Sequence, residues 1–230
     1  INTTGTQTYD TAVTLAGTTT LTSSGVGNDG NVTLGGTVSG NESLTIDTSG
    51  TTTLGGVVTI GSLSTVGSGN VAINTTTVTT DGGQSYGSRV VLGENATLSG
   101  TNGSFSGGVL GGGKDLTLTF SDTTTIDGTN FTGVRNLTSD GSGTTSLNGT
   151  ISTSGTQTYS DDVTLSGTTV LTSSGVGDAG NVTLGGTVTG GDSLTVNTSG
   201  TTTFDGNVSV ASLSTDAGGG TVVNLSLIHI

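Results

Sequence analysis

The side chains able to do chemistry are few and nearly all of one kind. Sixteen Asp and Glu stand against three basic residues, Arg89, Lys114 and Arg135, with one His, His229, and no Cys. Thiolate chemistry, disulfides and Cys-ligated zinc are excluded together. Two carboxylates can divide general acid and general base duties between them, so a glycosidase or polysaccharide lyase can be assembled from Asp and Glu alone. The middle of the chain is where such a site would fall, because Arg89, Lys114, Asp115, Asp122, Asp127 and Arg135 all lie there.

Other chemistries fit less well. Gly25-Val-Gly-Asn-Asp29 approaches the Gly-Gly-x-Gly-x-Asp turns that hold calcium in β-rolls, but its counterpart Gly175-Val-Gly-Asp-Ala179 moves the acid by one place, and neither recurs nine residues on. Gly111-Gly-Gly-Lys114 lacks the Walker spacing and runs into Asp115 where a magnesium-binding hydroxyl belongs. Thr-Thr-Thr runs starting at Thr18, Thr51, Thr75, Thr123 and Thr201 could form an ice-binding hydroxyl lattice; their irregular spacing favours Thr ladders between stacked strands. Tyr9, Tyr86 and Tyr159 occupy one equivalent place each and are expected to pack at a coil corner rather than stack on sugars. Asn31-Val-Thr, Asn95-Ala-Thr and Asn136-Leu-Thr are sequons of the kind that chance supplies in so hydroxyl-rich a chain. No catalytic, cofactor-binding or metal-binding residue is assigned, no cofactor is expected, and the expectation is a protein that is not an enzyme.

The elements that must position these residues are set by an internal repeat. Residues 1–66 and 151–216 match without a gap at an offset of 150, and Leu21-Thr-Ser-Ser-Gly-Val-Gly27 recurs unchanged as Leu171 to Gly177. A divergent copy lies between them, with Gln84-Ser-Tyr86 opposite Gln7-Thr-Tyr9 and Val90, Leu92 and Leu98 opposite Val13, Leu15 and Leu21. The divisions are module 1 at 1–77, module 2 at 78–150 and module 3 at 151–224. Across the copies Asp10 becomes Ser160, Asp29 becomes Ala179 and Asp47 becomes Asn197, while Asp162 and Asp205 replace Ala12 and Gly55. Acids that wander in this way behave as solvated turn residues and argue against a shared active site.

Within a module, apolar residues alternate in short clusters such as Val13-Thr-Leu15 and Leu116-Thr-Leu118, the period of a strand, and Gly-Gly, Ser-Gly or Asp-Gly separates them. Thr and Gly make up more than two-fifths of the 230 residues, aromatics are 3%, and Pro is absent. A globular sandwich needs larger inward residues. A parallel β-helix needs only a thin core, since each strand satisfies its backbone against the coils above and below. Coils of roughly 20 to 25 residues give an all-β solenoid of about ten coils.

The net charge of −13 and the three scattered cations exclude nucleic acid and anionic membranes as partners, and no apolar run approaches the roughly 20 residues of a membrane span.

The succession Gly-Thr-Gln-Thr-Tyr, Val-Thr-Leu, Asn-Val-Thr-Leu-Gly-Gly-Thr-Val, Ser-Leu-Thr-Val-Asn-Thr and Thr-Thr-Thr-Phe resembles the shaft repeats of bacterial filamentous haemagglutinin-like exoproteins, also known as β-strand repeat exoproteins. The resemblance spans nearly all of residues 1–224. It implies a right-handed parallel β-helix, export through an outer-membrane transporter by a two-partner or autotransporter-like route, and a place at the bacterial cell surface or outside the cell. There the full-length protein would support adhesion, aggregation or biofilm by meeting surface glycans or proteins through its other parts. The secretion domain of that family carries Asn-Pro motifs, and a proline-free chain has none.

Leu225-Ser-Leu-Ile-His-Ile230 breaks the Thr and Gly pattern and resembles the translation of a sequencing-library adapter. With no Met in the chain, the expectation is an excerpt of a longer reading frame, and His229 is given no functional weight.

Overall fold

In a computed structural model, which describes residues 1–216 and 218–224, the chain is an all-β solenoid of about eleven turns in which every strand pairing is parallel. Each coil lays one strand segment on each of three faces. In the first coil these are Asn2–Thr3, Gln7–Tyr9 and Val13–Thr14; in the second, Thr19–Ser23, Val32–Leu34 and Val38–Ser39. Successive coils pair in register, Gln7 with Val32 and Val13 with Val38.

Alternation decides which side chains form the core. In Ser43–Thr48, Leu44 and Ile46 are buried while Thr45 and Asp47 face out. On the third face the inward column runs Val38, Val58, Val78, Leu98 and Leu118, each registered on the last, so like stacks on like at the strand spacing of about 4.8 Å. Core aromatics elsewhere in the rod stack too. The Tyr86 and Phe105 rings lie 5.3 Å apart and nearly parallel, and Phe120 meets Phe105 edge-on at 6.3 Å.

Most coils lie near the short end of the expected length, and the turns number about eleven, in line with the expected solenoid of about ten. Many segments hold only two or three residues because Gly pairs turn the chain at once, and the step between stacked residues ranges from 18 (Thr144 to Asp162) to 25 (Thr19 to Leu44). The longest step accommodates an inserted 3-10 turn, Gly27–Gly30, repeated as Gly177–Gly180. Thr144–Thr153 and Asp162–Ser173 are far longer than expected. They round the corner from the first face to the second without a break: 144–148 lies on Thr123–Asp127, and Thr153 bridges to Val134.

The sequence repeat and the coil do not share a period. The Gln-x-Tyr strand lies on the second face as Gln7–Tyr9, on the first as Gln84–Tyr86 and on the third as Gln157–Tyr159. Each module thus spans eleven strand segments, counting Thr144–Thr153 and Asp162–Ser173 as two each, which is two-thirds of a coil beyond three. Equivalent residues step around the axis by one face per module, and three modules return to the starting face.

Candidate functional site

Among the charged residues of module 2, the structure brings one pair together. Arg135 donates from Nε to Asp115 Oδ1 at 2.8 Å and from Nη2 to Oδ2 at 2.6 Å. Both belong to a ladder at the corner between second and third faces. Asn95 Oδ1 accepts from the Asp115 amide at 3.0 Å, Asp115 Oδ1 accepts from the Asn136 amide and side chain at 3.2 and 2.9 Å, and Asn136 Oδ1 accepts from the Thr156 amide at 2.9 Å. Each Asx side chain so replaces a backbone acceptor for the coil above. Asn31 with Thr51 and Asn181 with Thr201 repeat the device in the outer modules, both at 2.8 Å. The hydrogen bonds from Arg135, followed by those from Asn136, hold the Asp115 carboxyl below the ordinary carboxylate range. An acid so held stays ionised and cannot donate a proton near neutral pH.

The other candidates fall elsewhere. Asp122 turns the chain from third face to first. Asp127 closes the first-face strand and accepts from the amide and hydroxyl of Thr129 at 2.9 and 2.6 Å, which lowers its pKa. Arg89 opens Arg89–Leu92 on the second face, opposite Asn70. Lys114 precedes Asp115 at the ladder corner. Among the described residues no three His, Cys, Asp or Glu side chains converge.

One buried carboxylate was not singled out from the sequence. Asp161 accepts from the amides of Gly141 (3.0 Å) and Ser142 (2.7 Å) in the coil below, and Ser142 sits at φ 64°. The turn is therefore a small anion nest filled by the protein's own side chain. Its only sequence signal was Asp161-Asp162 standing where module 1 has Thr11-Ala12.

The recurring Tyr is a core residue in two of its three places, and Tyr9 is half-buried. Tyr86 and Tyr159 lie wholly inside the core at the ends of their strands, and burial pushes both phenols up. Tyr86 donates to Gln84 Oε1 at 2.8 Å, and Gln84 Nε2 donates to the carbonyls of Val78 and Ser99 at 2.9 and 2.8 Å. Gln157 and Tyr159 repeat the arrangement. Rings so enclosed have no face for a sugar.

In the near-calcium loop, two backbone carbonyls are already engaged. Ser49 Oγ donates to the Gly25 carbonyl at 3.0 Å and Thr48 Oγ1 to that of Gly30; Ser199 and Thr198 repeat this on Gly175 and Gly180. Asp29 is exposed and Val26, at the tip, is open to solvent.

Hydroxyls do form regular arrays, but no triplet makes one by itself: the triplets fall on all three faces, with Thr52, Thr124 and Thr202 pointing inward, and each array takes at most one residue from a triplet. The arrays come from outward strand positions. On the third face Thr77, Thr97, Thr117, Thr138, Thr158, Thr183 and Thr203 follow in unbroken register. On the first face an outward row runs from Thr20 through Thr45, Ser64, Ser85 and Ser104 to Thr125, and on to Ser209, with Ser or Thr at every coil. The second face differs from the end of module 1 into module 2, where Ala72, Val91 and Leu110 interrupt the row.

No family model, no curated protein and no solved structure matches the chain. Residues 225–230, including His229, lie outside the described residues.

Proposed function

We propose that this chain is a shaft segment of a large secreted or surface-attached bacterial adhesin of the filamentous haemagglutinin-like kind, outside the cell and not itself an enzyme. One observation carries the reading: equivalent residues of the three modules are turned onto three different faces, so the repeat builds a rod and not a cleft. Eleven coils at about 4.8 Å make a spacer on the order of 50 Å. The backbone of each coil is tied to the next, and the negative surface keeps neighbouring rods apart. Receptor contact and passage through an outer-membrane transporter belong to other parts of the full-length protein.

Two measurements test the reading. Deleting residues 1–224 from the full-length protein shortens its projection by about 50 Å and leaves its adhesive tip able to bind its receptor. Specific turnover of pectins or other acidic polysaccharides by the purified chain, abolished by substituting a single Asp, overturns it in favour of a β-helix carbohydrate-active enzyme.

The third-face Thr ladder supports a second reading, recognition of an ordered hydroxyl or water lattice such as ice. Thermal hysteresis from the purified chain, lost in Thr138→Tyr, supports it; no hysteresis removes it.

A further inference from the structure

On the flank of the rod, well inside its two ends, the second face departs from the other two. Its outward row runs Thr33 and Thr53, then Ala72, Val91 and Leu110 on three successive coils, then Thr132, so a short apolar strip lies along the rod axis. The three apolar side chains are half-buried by their neighbours. The seven strands of this sheet, from Gln7–Tyr9 to Phe131–Thr132, carry no acidic residue, in a chain whose net charge is −13.

Every Lys and Arg of the chain borders the strip. Arg89 stands two residues before Val91 on one strand and therefore on the same side of the sheet. Glu94, Lys114 and Arg135 each stand two residues before the registered residues Ala96, Leu116 and Leu137, so they follow one another along the opposite margin, at the corner with the third face. Asp127, closing Thr123–Asp127, lies on the Arg89 margin two coils on. Arg89 and Glu94 are exposed, and among the described residues neither belongs to an ion pair. The strip thus has opposite charges on its two sides, Arg89 across from Glu94 in the coil of Val91 and Asp127 across from Arg135 in the coil of Phe131.

We infer that this strip is a docking surface for the same strip of a second copy of this chain, with the two rods parallel and side by side. Rotation by half a turn about an axis parallel to the rods, midway between the two faces, brings Ala72, Val91 and Leu110 each against its own counterpart. It also exchanges the margins at every coil, so that Arg89 of each copy faces Glu94 of the other and Asp127 faces Arg135. Antiparallel rods lose this match. Centred on Val91 they set Arg89 against Arg89, and centred on Leu110 they set Lys114 against Lys114; centred midway they leave Arg89 without a carboxylate and Ala72 against Thr132. The parallel contact is isologous and closes as a dimer. A face of seven strands about 4.8 Å apart and roughly three residues wide offers a few hundred Å² per partner, the size of a transient contact. The negative charge of the rods opposes it, and at physiological salt that repulsion is screened beyond about 8 Å. The inference rests on the flank of the coil and is independent of the adhesin reading.

Sedimentation equilibrium of the full chain at physiological salt tests it. The expected weight-average mass climbs from one chain toward two over a hundredfold concentration series, and no further. Arg89→Glu and Glu94→Arg each weaken pairing by about tenfold, because the two-fold axis repeats every lost pair. Their equimolar mixture pairs as the parent does, since each copy then supplies the charge that the other lacks. The chain has no Cys, so single cysteines report the geometry directly. With a thiol cross-linker reaching about 10 Å, the spacing of packed sheets, Ala72→Cys, Val91→Cys and Leu110→Cys each give covalent dimers, and Thr97→Cys on the third face does not. Circular dichroism of each variant, unchanged from the parent strand signal, confirms that the fold survives. A parent that stays monomeric throughout, a mixture that pairs no better than either variant alone, failure to cross-link at any one of the three strip positions, or equal cross-linking at Thr97→Cys would each overturn parallel docking through this strip.

Discussion

Asp115 and Arg135, twenty residues apart in sequence, form a bidentate ion pair across adjacent coils, with the Asp115 carboxylate also accepting two hydrogen bonds from Asn136. The pair fastens one rung of the rod at a corner open to solvent.

The pH dependence follows from the direction of the shift. Because the Asp115 carboxyl is held below its unfolded value, its contribution is fully present above the unfolded carboxylate pKa, near 4, and is lost as pH falls through the folded value. Asp127 and Asp162 shift the same way, the latter through the amide of Thr187. Thermal melts followed by circular dichroism should therefore show a midpoint that falls below about pH 4, with a shallower fall in Asp115→Asn. A parent curve no steeper than that of the variant would remove this account of the ladder. Because the pair is exposed, the loss at neutral pH is expected to be small.

The buried Gln-x-Tyr units should matter more than any surface pair. Gln84→Ala leaves the Tyr86 hydroxyl and the Val78 and Ser99 carbonyls without that partner inside the core, and it opens a cavity. A loss of about 2–4 kcal/mol is expected from unsatisfied groups and lost packing. Tyr86→Phe removes one hydrogen bond and should cost about 1 kcal/mol. Tyr9→Phe, in the half-open first coil, should cost less than Tyr86→Phe. Urea unfolding of the three variants gives the order, and equal costs at Tyr9 and Tyr86 would contradict the burial argument.

Strand period, coil architecture and modular repeat were legible in the sequence because each depends on local alternation, as in Leu44-Thr-Ile46, or on identity at a fixed offset. What was not legible depends on register between coils. The Thr ladder of the third face joins Thr77 to Thr203 through residues that do not fall in the Thr-Thr-Thr runs, and only pairing aligns them. The walk of Gln7, Gln84 and Gln157 around three faces follows from eleven segments per module, a count that needs the corner-rounding strands Thr144–Thr153 and Asp162–Ser173 to be seen as two each. Asp161 was missed because its partners, the Gly141 and Ser142 amides, come from the coil below.

Glycine has two distinct roles along the rod, and alanine separates them. At Gly69 a Cβ would lie 1.7 Å from the Gly50 carbonyl oxygen, a backbone atom of the coil beneath that cannot move aside alone. Gly69→Ala should then destabilise by at least the 1–3 kcal/mol, roughly, of an overpacked core. At Gly17 nothing lies within 4 Å of the added carbon, and the backbone is not in the left-handed region. Gly17→Ala should be neutral or slightly stabilising, about 0.4–1 kcal/mol, because it restricts the unfolded chain. The two denaturation midpoints, moving in opposite directions or not, check the stacking of coils directly.

The three tyrosines give an optical test of the same core. Burial raises the pKa of Tyr86 and Tyr159 strongly, while Tyr9, half-buried in the first coil, is raised less. A phenol whose folded pKa is raised stabilises the fold fully below its unfolded value, near 10, and loses that contribution as pH climbs above it, since the unfolded chain then gives up a proton that the folded chain keeps. In an alkaline titration read by phenolate absorbance, Tyr9 should ionise first and reversibly with the strand signal intact. The phenolate signals of Tyr86 and Tyr159 should appear only together with loss of that signal, at one common pH. Tyr9→Phe should delete the early step and leave the late one in place. Three phenols ionising together while the strands persist would place Tyr86 and Tyr159 in contact with water, and the closed core with them.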